Sequence, residues 1–91
     1  MSDAPAKPLV EYPTDYAFKV MGKRDEDFTE YIRVKFTQLL GAEVGREAIA
    51  ENVSRQGKYI SVTVTVRLHT EEQRQKIYAD IHTDTRIVYY L

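Results

Sequence analysis

The residues of this chain that could carry chemistry are few and scattered. Its two histidines, His69 and His82, stand thirteen positions apart, a spacing that matches no metal-ligand pattern. His82 falls near the end of a predicted helix, where an imidazolium complements the helix dipole. Ser61 lies inside an alternating strand pattern rather than on the strand–turn–helix elbow a nucleophile needs. Ser54 borders a hairpin, where serine is an ordinary turn residue. Cysteine is absent, which excludes disulfide frameworks and thiolate zinc or iron–sulfur sites. The residues therefore assign no catalytic group, no metal site and no cofactor, and the chain reads as a non-enzyme.

Two short clusters remain. Asp25, Glu26 and Asp27 are consecutive, so on a helix their side chains diverge and cannot converge on a cation. They suit a helix N-terminus instead, where negative charge is favoured. Just before them, Gly22-Lys23-Arg24 joins a predicted strand to that helix. Backbone N–H groups and two basic side chains at such a junction could hold a small anionic ligand, although the three acids that follow oppose one. Further along, Arg55 and Lys58 make a hairpin tip basic and suited to an acidic partner.

Ninety-one residues fit one domain. Apolar residues make up 43% and charged residues 30%, values of a folded globular protein. A chain of this size buries only about 60–65% of its unfolded surface. Large apolar side chains outside so thin a core point to an interface. Residues 1–11 read as a flexible leader without a signal-peptide core, and residues 12–91 as the domain. The longest apolar run, Ile87-Val88-Tyr89-Tyr90-Leu91, is far short of the ~20 residues of a membrane span. A cytoplasmic protein without membrane contact is expected. Thirteen basic against fourteen acidic residues give a formal charge of −1, which disfavours nucleic acid as partner.

Tyr16, Phe18 and Val20 alternate with Ala17, Lys19 and Met21, predicting a strand over 16–23. Phe28, Tyr31, Ile32, Phe36, Leu39 and Leu40 form one stripe, predicting a helix over 25–40 with Asp25 as N-cap and Gly41 beyond its end. An edge strand over 48–54 leads into the turn 55–58, where Gly57 can supply positive φ. From Lys58 to Leu68 apolar and polar residues alternate without a break, the mark of a sheet covered on one side only. Thr70-Glu71-Glu72-Gln73 is a capping box opening a helix to about 83, and a last strand follows over 86–91.

The order βαββαβ, with right-handed crossovers, places the first and third strands in the centre of a four-stranded antiparallel sheet. Both helices cover one face. The predicted fold is the α+β ferredoxin-like split βαββαβ sandwich. The residues expected on the open face are Lys19, Met21, Tyr59, Thr63, Arg67, Val88 and Tyr90. Tyrosine, arginine and methionine are types enriched in interfaces, so this face is the candidate surface for a partner or a second copy. The exposed edge strands make a homodimer plausible.

Tyr12-Pro13, Tyr16-Ala17-Phe18-Lys19-Val20-Met21-Gly22 and the hairpin Ser54-Arg55-Gln56-Gly57-Lys58-Tyr59-Ile60-Ser61-Val62-Thr63 resemble the YbeD-like family of small bacterial proteins of unknown function. The closing Ile87-Val88-Tyr89-Tyr90-Leu91 is compatible with it. The resemblance covers about residue 11 to the end. It implies a ferredoxin-like fold similar to the ACT regulatory domains and carries no established catalytic residue. The expectation for function is a non-catalytic regulatory module. It binds a protein or a small metabolite through the open face or the Gly22-Lys23-Arg24 junction. Weak RNA binding on the same face is the alternative.

Overall fold

A computed structural model describes residues 10–91. The leader expected over 1–11 lies, through residue 9, outside the described residues. Strand β1 spans Thr14–Lys23, helix α1 Phe28–Leu40, strand β2 Ile49–Val53, strand β3 Tyr59–Leu68, helix α2 Glu71–Thr83 and strand β4 Ile87–Tyr90. The strands form one antiparallel sheet in the order β2-β3-β1-β4. This is the ferredoxin-like split βαββαβ arrangement with β1 and β3 central.

The two central strands pair over their whole length, from Thr14 opposite Leu68 to Lys23 opposite Tyr59. Their alternation sends Phe18, Val20, Val62 and Val64 to one side, where all four are fully buried. Phe28, Ile32 and Phe36 of α1 and Ile77 and Ile81 of α2 close over them. Spacings of three and four residues put each helical set on one stripe, so both helices pack on the same sheet face. The helices are also tied laterally. Lys35 of α1 forms ion pairs with Asp80 and, at 3.0 Å, with Asp84, and the Tyr31 hydroxyl donates to Asp84 at 2.7 Å.

The start of α1 differs from the expectation. Asp27, not Asp25, occupies the N-cap position, and its side chain caps no N–H. Both carboxylates turn instead to Arg86, at 2.8 Å from Asp27 and 3.7 Å from Asp25. A charge-assisted bond to a guanidinium is stronger than one to a neutral backbone N–H, so the arginine takes the acids that a cap would have used. At the start of α2 the Thr70 side chain accepts from the Gln73 N–H at 3.1 Å. The glutamine's own oxygen reaches one residue further back than a standard capping box, to the N–H of His69 at 2.8 Å.

Candidate functional site: the open sheet face and its basic corner

The face of the sheet opposite the helices is built of rows that cross the strands. One row runs Asn52, Ser61, Met21, Tyr89; the next runs Ala50, Thr63, Lys19. Leu91 extends that second row, because its N–H donates to the Lys19 carbonyl at 3.0 Å. Beyond these rows Ala17 stands opposite Thr65, and Asp15 opposite Arg67, to which it is ion-paired at 3.3 Å. Lys23 and Tyr59 face each other at the other end. Hydroxylated side chains thus run along the middle of β3 beside Met21 and Lys19 of β1, with Tyr59, Arg67 and Tyr89 toward the margins. Ser61 is buried within its row and donates to the Asn52 carbonyl at 3.2 Å.

Of the residues expected on this face, Lys19, Met21, Tyr59, Thr63 and Arg67 are there. Tyr90 is not. It pairs with Val20 on the helix side, with its ring centroid 5.9 Å from that of Tyr78 and its hydroxyl 3.1 Å from His82 Nδ1. Val88 sits unpaired at a β-bulge, 51% exposed. The bulge is the physical reason for the correction. Ile87 faces the helices opposite Gly22, and strict alternation from there would turn Tyr89 inward and Tyr90 outward. One extra residue in the strand reverses this. Tyr89, 57% exposed, and Leu91, 61% exposed, therefore take the outward places. With Lys19 and Met21 they line a shallow dimple of about 70 Å³.

The junction and the hairpin tip, separate in the sequence, form one corner of the molecule. Lys23 pairs with Tyr59. The Arg24 N–H donates to the Lys58 carbonyl at 3.0 Å, and the Arg24 guanidinium lies beside Gly57, 3.4 Å from where a β-carbon would stand. The turn is closed by Gly57 N–H to the Ser54 carbonyl and by Ser54 N–H to the Tyr59 carbonyl, both at 2.8 Å. Gly57 adopts φ 77°, a backbone that residues with a β-carbon rarely take.

Twelve of the chain's lysines and arginines fall within the described residues. Arg33, Lys35, Arg67, Arg74 and Arg86 are ion-paired. Of the seven that pair with no carboxylate among the described residues, five are Lys19, Lys23, Arg24, Arg55 and Lys58, all exposed. The other two are Arg46 and Lys76. Free positive charge is therefore gathered on one corner and the adjoining face. Asp25 and Asp27, next in sequence, share the one guanidinium of Arg86, whose hydrogen bond is the main cause holding the Asp27 carboxyl below its ordinary value, while Glu26 between them is exposed and pairs with no described cation.

Gly22 itself is buried. A β-carbon there would overlap the Phe28 ring and approach the Arg86 carbonyl oxygen to 2.8 Å. Its role in the structure is to admit the aromatic ring, while Lys23 and Arg24 alone reach the surface. At the opposite end of the sheet Glu11, Glu47 and Glu72 are exposed and pair with no described cation. A cleft of about 320 Å³ there is lined by Val44, Glu47, Ala48, Arg67, His69 and Gln73. The loop over 41–48 that supplies half of it carries no periodic signal, so it was invisible in the sequence.

The histidines and serines stay apart. His82 meets the Tyr90 hydroxyl and His69 lies at the start of α2, while Ser54 Oγ accepts from the Tyr59 N–H at 3.1 Å. Among the described residues no three His, Cys, Asp or Glu side chains are grouped to hold a metal ion, and no helix is long and apolar enough to cross a membrane.

Comparison with known proteins agrees with this architecture. A solution structure of protein HP0495 from Helicobacter pylori superposes with a TM-score of 0.65 at 20% identity, covering 100% of this chain and 98% of that one; at that identity the match speaks for the fold. A UPF0250 protein of Ralstonia nicotianae is 38% identical over 81 residues, 85% of this chain and 82% of the relative. A UPF0250 protein of Janthinobacterium is 32% identical over 87 residues, 96% of this chain and 94% of the relative. The model of the family described as protein of unknown function DUF493 matches residues 7–91. In line with the YbeD-like resemblance of its strands and hairpin, the chain belongs to this family.

Proposed function

We propose that the domain is a non-catalytic regulatory module that docks a protein partner on the open face of its sheet. The observation that supports this best is the outward placement of Tyr89 and Leu91 beside Met21. In a chain this short, apolar side chains of that size are normally spent on the core. Here they stand together on the uncovered face, next to a polar, hydrogen-bonding centre, in the pattern of an interface with an apolar patch and a wetter surround. RNA recognition fits less well. The two exposed tyrosines, Tyr59 and Tyr89, lie on β3 and β4 with β1 between them, so neighbouring bases would not find adjacent aromatic platforms.

Photo-crosslinking in cells tests the reading. A benzophenone amino acid is placed at Thr63 or Tyr89 on the face, and at Lys76 on the exposed side of α2. One discrete adduct from both face positions and none from position 76 is the expected result. Adducts of equal yield from all three positions, or none from any, would end it.

A further inference from the structure

We infer that the basic corner formed by Lys23, Arg24, Arg55 and Lys58 beside Tyr59 is the docking site for a short acidic segment of a partner polypeptide. This rests on the reading of the sheet face as a protein-docking surface and gives that partner a chemistry.

Three observations carry it. The first is assembly. Residues some thirty positions apart in the chain are held together by backbone bonds, with Arg24 N–H on the Lys58 carbonyl and Lys23 opposite Tyr59. The second is charge. Five of the eight other cations in the described fold have a carboxylate, whereas these four have none; of the three acids that follow Arg24, Asp25 and Asp27 are engaged by Arg86 and Glu26 is exposed. Like charges gathered on one corner repel one another, and an anionic ligand relieves that repulsion. The third is extent. The corner is limited to one turn and one strand end, and Lys19 extends it by four residues, ~13 Å of strand. An extended acidic segment of four to six residues matches that length. Its carboxylates suit the forked guanidinium groups of arginine, which Arg24 and Arg55 supply. A nucleic acid would need a longer basic track, and the formal charge of −1 opposes its backbone outside the corner. Tyr59, 40% exposed, adds a flat apolar wall joining the corner to the sheet face.

The test uses the full chain and a fluorescein-labelled twelve-residue peptide of alternating glutamate and serine. Controls are the same peptide with glutamine for glutamate and a twelve-nucleotide single-stranded RNA. Saturable anisotropy binding of the acidic peptide is expected, weakening as salt is raised, with amide shifts at residues 23–24 and 54–59. Arg55→Glu with Lys58→Glu should weaken it at least tenfold. Arg46→Glu with Lys76→Glu, the same charge change at the two free cations elsewhere, should leave it within twofold. The neutral pair Arg55→Gln with Lys58→Gln should give an intermediate loss and guards against misfolding of the reversed pair. No saturable binding, equal loss from both charge-reversed pairs, or tighter binding of the RNA than of the acidic peptide would overturn the inference. Such a failure leaves the crosslinks from Thr63 and Tyr89 untouched. Their loss, with acidic-peptide binding intact, would remove only the wider reading of the face.

Discussion

The ring of Phe28 occupies the space that a side chain at Gly22 would need, with the Arg86 carbonyl oxygen closing the other side. The first residue of α1 is thereby packed against the end of β1. Gly22→Ala forces one methyl into this packing and should cost ~1–3 kcal/mol, read as a lower urea midpoint. Phe28→Leu opens the space, so the double variant should lose less than the two single losses added together. Strict additivity would show that the two positions are not coupled.

Neighbouring tyrosines on β4 should respond in opposite ways. Tyr89→Asp places a carboxylate on the open face and should leave the urea midpoint nearly unchanged while abolishing the crosslink from Thr63. Tyr90→Asp puts a charge against Tyr78 and the partly buried margin of the core. It should destabilise by ~2 kcal/mol or more. Equal stability of the two variants would contradict the bulged register.

Acid should weaken the fold partly through Glu71. The Arg74 guanidinium, with the Tyr12 hydroxyl donating at 2.5 Å, holds this carboxyl at about 2, against an ordinary 4.5. A depressed carboxyl stabilises the fold above its unfolded value, and the contribution is lost as pH falls through its folded value. Glu71→Gln should therefore have a lower urea midpoint than the parent at pH 7. The difference should shrink below pH 4.5 and vanish near pH 2. A difference independent of pH would assign the loss to packing instead.

The hairpin that carries Arg55 and Lys58 depends on Gly57 at φ 77°. Gly57→Ala should cost roughly 1–2 kcal/mol, and Gly57→Asn should recover part of it because asparagine tolerates this conformation. Thermal midpoints of the three chains check the order. If alanine matched glycine, the turn would have to have changed type.

What could be read from the sequence is what local spacing encodes. The uninterrupted alternation from Ile60 to Leu68 and the stripe from Phe28 to Leu40 gave the central strand, the first helix and their buried sides, and with them the topology. The last strand was misread because a bulge at Val88 is made by pairing with β1, and nothing in Ile87-Val88-Tyr89-Tyr90 announces it. The start of α1 was displaced because Arg86, fifty-nine residues beyond Asp27, competes for the acids that would have capped it. The candidate site shows the same division. Lys19, Met21, Tyr59, Thr63 and Arg67 followed from alternation, whereas the union of Lys23 and Arg24 with the hairpin tip needed the strand register.

The free cations gathered at the hairpin corner and the exposed Glu11, Glu47 and Glu72 at the other end of the sheet give this nearly neutral domain an uneven charge distribution. Its chromatography should show it. At pH 7 and low ionic strength the protein should be retained by both a cation exchanger and an anion exchanger, turning a different end toward each resin. Reversing Arg55 and Lys58 should abolish retention on the cation exchanger alone.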